Sequence, residues 1–236
     1  MLGKTHLIGG AAAATATCMI TPGIGRAEAT VLFAACLLGS VLPDIDHRKS
    51  KISNSDILIG AASEVIGICT KHRGIIHTPV GCILLGATGY LAANRISSCV
   101  LGNAALAMSI IVFTAVHVFC NKKGLAKCGG LLAVATYFLY PKFSCYVDVV
   151  PFPELPEKFA YFIGVGIFAG ALSHIVLDML NPEGIMVLYP YRRRYHIASV
   201  KTGTRGEAAV TAFIFPAILC ALWCMLGTAA PILWVS

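Results

Sequence analysis

His174 and Asp178 stand four positions apart in the apolar stretch SHIVLDMLNPEGIMVLYP, residues 173–190. With 3.6 residues per turn, such positions share one helix face, about 6 Å apart along the axis, so a single face offers an imidazole beside a carboxylate. A charged side chain near the centre of a bilayer costs about 2.5 to 3.5 kcal/mol on insertion scales, so it faces a bundle interior or a wet cavity and needs a partner. Similar groups recur where other apolar runs begin or end: His6 in THLIGG, then Asp44, Asp46 and His47 in LPDIDHRKS, then His72 and His77 in KHRGIIHTPVG. Imidazole nitrogen and carboxylate oxygen without thiolate suit a divalent transition metal, zinc first, with manganese or iron as alternatives. More than four ligands leave room for one ion or two. The expected ligands are His6, Asp44, Asp46, His72, His77, His174 and Asp178.

Each piece also has an ordinary reading. His174 with Asp178 could be an interhelical hydrogen-bonded pair, PDID a turn capped by its own aspartates, and His72 and His77 interfacial histidines. Their convergence on one membrane face is what favours a metal site. His117 and His196 stand outside the set, as structural or surface residues.

The elements that must position these groups are membrane helices. Hydrophobic residues make up 57% of the 236 and charged residues 12%, against about 25% charged in soluble domains. Mean hydropathy is +0.79. Apolar runs near 6–21, 28–42, 79–93, 98–119, 128–141, 158–180 and 208–234 approach the roughly 20 residues a bilayer demands, the second and fifth being short. The fold expected is all-α, a polytopic bundle of about seven spans forming a single integral membrane domain over residues 1–236. SDILIGAASEVIGICT, residues 55–70, reads as an amphipathic helix on the inner surface. GGAAAATATCMITPG is small-residue packing material more than a cleavable leader, and the first helix is expected to remain in the mature chain. The ten cysteines are scattered through apolar runs without a CxxC pair and read as small buried hydrophobes in a reducing cell.

With the amino terminus inside, all of the 18 cations except Arg26, Arg95, Lys142 and Lys158 fall on inner segments. The positive-inside rule then puts the amino terminus and the candidate site on the cytoplasmic side of the inner membrane. Thr5 would cap the first helix, Pro43 end the second, and Thr78 and Pro79 start the third.

THLIGG, LPDIDHRKS, HRGIIHT and SHIVLDMLNPEGIMVLYPY resemble, in order and spacing, the YdjM-type inner-membrane proteins, described as LexA-regulated, membrane-bound, metal-dependent hydrolases. The resemblance runs from residue 5 to about 207, where KTGTRGE looks like the family's late polar segment with its glutamate, Glu207. It implies functional roles for His6, Asp44, Asp46, His47, His72, Arg73, His77, His174 and Asp178. Ile76 and Thr78 depart from the small or hydroxylated residue and the serine expected there. A fainter similarity to zinc-dependent phospholipase C proteins, an early TH helix start and a PD turn, hints at substrate alone.

The resulting expectation is a hydrolase at the cytoplasmic surface, with Asp46 as ligand or base and Arg73 holding an anionic group of a lipid-like substrate. Arg192, Arg193 and Arg194 would suit a phosphate headgroup or anchor the chain on anionic lipid. Membrane lipids are the expected partners, and no nucleic acid is. Two other classes compete: a scaffold or sensor in which the metal only ties helix ends together, and an ion-coupled transporter. The transporter is disfavoured because the outer halves of the spans are nearly devoid of ionisable residues and no repeat is visible.

Overall fold

The computed structural model describes residues 1–46, 75–96, 109–113, 116, 129–144, 158–191 and 193–227. His47, His72, Arg73, the 55–70 segment and most of the 98–119 run lie outside the described residues. The fold is all-α. Helices α1 (Gly3–Ile20), α2 (Arg26–Gly39), α3 (Pro79–Ile96), α4 (Gly129–Ser144), α5 (Phe159–Asp178) and α6 (Arg205–Gly227) coincide with six of the expected apolar runs. Short 3-10 turns at Leu42–Asp46 and Ile75–His77 lie between α2 and α3. Among the described residues one helix, Phe159–Asp178, is both long and apolar enough to cross a membrane by itself.

That helix, α5, is the centre of the bundle. It packs against α1, α2 and α3, while α1 also packs against α2 and α6. The close approach is made by small residues. A side-chain carbon on Gly166 would stand 2.6 Å from Ala35 Cβ and 2.8 Å from the Leu32 carbonyl, and one on Gly164 would stand 3.0 Å from the Gly86 carbonyl. Helices in lipid associate through such backbone contact, since apolar side chains gain little by leaving hydrocarbon for one another. Around these contacts Val31, Ala35, Phe159, Ile163 and Ile167 form a buried cluster. Thr15 donates to the Ala11 carbonyl at 2.9 Å and Thr17 to that of Ala13 at 2.8 Å, so these helix hydroxyls are satisfied within their own helix.

Two boundaries differ from the expected ones. Leu2, not Thr5, is the residue that caps α1, and Thr5 sits inside its first turn with its hydroxyl turned to Glu207. The second helix ends at Gly39, and Pro43 lies within the following 3-10 turn. The start of α3 is as expected: Thr78 Oγ1 accepts the Gly81 N–H at 3.0 Å, and Pro79 takes the first helical position.

Candidate metal centre

Four elements deliver the site. The last turn of α5 carries His174 and Asp178, the first turn of α1 carries His6, the turn after α2 carries Asp44, and the turn before α3 carries His77. His174 and His77 are 0% exposed, His6 1% and Asp178 4%, whereas Asp44 is 27% exposed and forms the accessible edge.

His174 lies at the middle. Its Nδ1 is 2.7 Å from the Ser40 carbonyl, and because a carbonyl can only accept, Nδ1 carries the proton, so in the neutral ring Nε2 presents its lone pair. That nitrogen lies 3.6 Å from Asp178 Oδ2 and 3.7 Å from Asp44 Oδ1, and it is buried with no hydrogen-bond partner among the described residues. His6 Nε2 is 3.4 Å from Asp178 Oδ1, and His6 Nδ1 is likewise buried without a hydrogen-bond partner among the described residues. The His6 ring stacks on His174 with centroids 3.7 Å apart and planes inclined by 13°, and His77 meets His174 edge-on at 5.3 Å.

These separations test whether a metal fits. Ring nitrogen and carboxylate oxygen 3.4 to 3.7 Å apart are farther than in an ordinary hydrogen bond. They suit two ligands of one ion, since zinc bonds of about 2.1 Å at a tetrahedral angle put neighbouring donors about 3.4 Å apart. Two groups of three place ligand atoms within 4.8 Å of one another: His6, Asp44 and His174; and His77, His174 and Asp178. They share His174. Among the described residues no lysine or arginine pairs with either carboxylate, and the cationic nitrogen beside Asp178 Oδ1 is that of Met1, at 2.9 Å. Two carboxylates and three imidazoles are a donor set that could bind a divalent ion.

A model of the YdjM inner membrane protein family matches residues 1–233. The chain belongs to the YdjM inner membrane protein family. Membership assigns this YdjM protein to the inner membrane and accounts for its apolar composition. No curated protein and no solved structure matches the chain.

Five of the seven expected ligands are therefore brought together: His6, Asp44, His77, His174 and Asp178. Asp46 shares the 3-10 turn of Asp44, although its side chain is outside the described part of the structure, as are His72 and Arg73 entirely. Arg193 and Arg194 are exposed in the loop between α5 and α6, and Arg193 lies over the Tyr195 ring at 5.6 Å. Two supporting groups lie outside the expected ligand set. The Ser40 carbonyl has no sequence signal, because any residue supplies one. Glu207 had one, the glutamate three positions after Thr204 in TRGE, a helix-capping pattern.

Proposed function

We propose that this YdjM-family protein is a membrane-embedded, metal-dependent hydrolase that acts at the cytoplasmic face on a lipid or lipid-linked ester containing phosphate. The observation carrying this reading is the buried His174 Nε2, 3.6 Å and 3.7 Å from two carboxylate oxygens and with no hydrogen bond of its own among the described residues. His6, Asp44, His77, His174 and Asp178 would hold zinc, or manganese or iron, as one ion or as two, with His174 serving one ion through its Nε2. When bound, such a metal supplies Lewis acidity, polarising an ester and bringing the pKa of water towards neutrality.

The chain's own groups do the rest. The Ser40 carbonyl fixes the His174 tautomer and ring orientation. The burial of four of the five ligands excludes bulk water from one side of the centre, and the partial exposure of Asp44 leaves a way in from the other. Asp46, two residues after Asp44 in the same 3-10 turn, would take the proton from the attacking water, and Arg73 would hold an anionic group of the substrate. The position of the centre at helix ends favours a substrate that stays in the membrane, with its ester at the interface.

A second reading, a scaffold whose metal only ties helix ends together, draws support from the same burial, because structural sites are closed. One experiment separates them. Purified wild-type protein is expected to carry one or two transition-metal ions per chain by elemental analysis. His174→Ala should reduce this to background because it removes the ligand common to both groups. Metal-loaded protein would then be tested on phospholipids and isoprenoid phosphates in detergent. Turnover that disappears in Asp46→Asn while metal remains supports the hydrolase, metal without turnover leaves the scaffold, and no metal above background removes both.

A further inference from the structure

Glu207 is a charged residue with only 2% of its surface exposed, in the first turn of α6. Its two oxygens accept three hydrogen bonds. Oε1 takes the Leu2 N–H at 2.6 Å and the Thr5 hydroxyl at 2.7 Å, and Oε2 takes the Gly203 N–H at 2.7 Å. One carboxylate thus joins the residue that caps α1, the first turn of α1 and the loop that enters α6. It lies at the amino-terminal ends of two helices, where unpaired N–H groups and the helix dipole favour negative charge.

The residue following Thr5 is His6. From the geometry we infer that Glu207 is a positioning residue: its carboxylate holds the first turn of α1 so that the His6 ring stands against His174 and within reach of Asp178. Without it, the Leu2 N–H and the buried Thr5 hydroxyl lose their acceptor, and the first turn frays towards water. His6 leaves its stack as that turn opens. The rest of α1 stays in place, because Gly9 packs under Leu177 of α5 and Gly10 sits against Ser40, one turn further along. The effect on metal rests on the metal-site reading above; the effect on His6 does not.

The test uses the purified full chain in detergent, with two readouts: zinc affinity by chelator competition, and modification of His6 by diethyl pyrocarbonate followed by mass spectrometry. Glu207→Ala is expected to weaken zinc binding about 10- to 100-fold, the usual range for loss of a group that orients a ligand, and to expose His6 to modification. Glu207→Gln should lose less, since its amide oxygen still serves Leu2 and Thr5. If Glu207 acts through His6, the double variant His6→Ala with Glu207→Ala binds zinc as His6→Ala does, within about twofold. An equal further loss in the double variant would show that Glu207 acts elsewhere and would overturn the inference, as would unchanged zinc affinity and unchanged His6 protection in Glu207→Ala. If the wild type binds no zinc, the metal reading fails and His6 reactivity alone decides: exposure in Glu207→Ala upholds the positioning role, continued protection removes it. Should Glu207→Ala not fold, Thr5→Val, which removes one of the three bonds, is read by the same two measurements against the same outcomes.

Discussion

At the scale of single residues, the site is defined by which nitrogen of each imidazole is available. His174 donates from Nδ1 to a backbone carbonyl and so has one nitrogen left, pointed at two carboxylates. Protons compete with metal for that nitrogen, so occupancy has a predictable sign with pH: ligands must be deprotonated to bind, and acidification releases the ion. Zinc content should be full at about pH 8 and fall as the pH is lowered, as equilibrium dialysis against buffers of stepped pH would show. Retention of full zinc content at pH 4.5 would argue against three histidine ligands. Legibility at this scale was uneven. His174 and Asp178 were readable as partners because helical spacing alone puts them on one face. The meeting of His6 with His174, from opposite ends of the chain, followed only from all such groups lying near helix ends on one side.

At the scale of elements, the close packing of α2 on α5 is what sets the site. Gly170 stands where a side-chain carbon would collide with the Cys36 carbonyl and lie 2.8 Å from the Ser40 nitrogen, so it controls the distance between α5 and the residue that orients His174. Gly170→Val is expected to destabilise the protein by roughly 1 to 3 kcal/mol through overpacking, seen as a lower midpoint of thermal unfolding in detergent, and to weaken metal binding alongside. Gly3→Ala, where nothing lies within 4 Å of the added carbon, is the matched control and should change stability by less than about 0.5 kcal/mol. An unchanged midpoint in Gly170→Val would mean that the two helices can separate without consequence. The loop between α5 and α6 is also an element with structure. Ile197 donates to the Met179 carbonyl and Val200 to that of Leu180, both at 2.8 Å, and Ile185 pairs with Tyr195. These bonds fold the loop back on the end of α5 and bring Glu207 to α1.

At the scale of the whole molecule, the described surface is apolar as well as the core. Ile83, Leu84 and Leu91 on α3, Leu131 and Phe138 on α4, and Phe213 on α6 are exposed by between 52% and 84%. Hydrocarbon solvates such a surface without cost, as expected of an inner membrane protein. The distribution of cations supports a proposed orientation with the metal centre facing the cytoplasm. A phosphatase reporter that is active only outside the inner membrane should accordingly be active when inserted between Pro22 and Gly23, at the far end of α1, and inactive between Lys201 and Thr202, at the end that holds the site. The reverse pattern would turn the site outward and remove a cytoplasmic substrate from consideration.

The sequence by itself determined the helical class, the membrane setting and the chemical identity of the donors, because hydropathy, helical period and ligand chemistry are properties of residue types and local spacing. It also bracketed the helix ends, where Thr78 and Pro79 behave as their side chains require, while the Thr5 hydroxyl was drawn away from its own helix by a carboxylate 202 positions along the chain. Which five donors share one space, which nitrogen of His174 is left unpaired, and what Glu207 holds were decided only by the tertiary structure. Those facts depend on distances between segments remote in sequence, and packing of glycine against backbone at the centre of the bundle is what sets such distances.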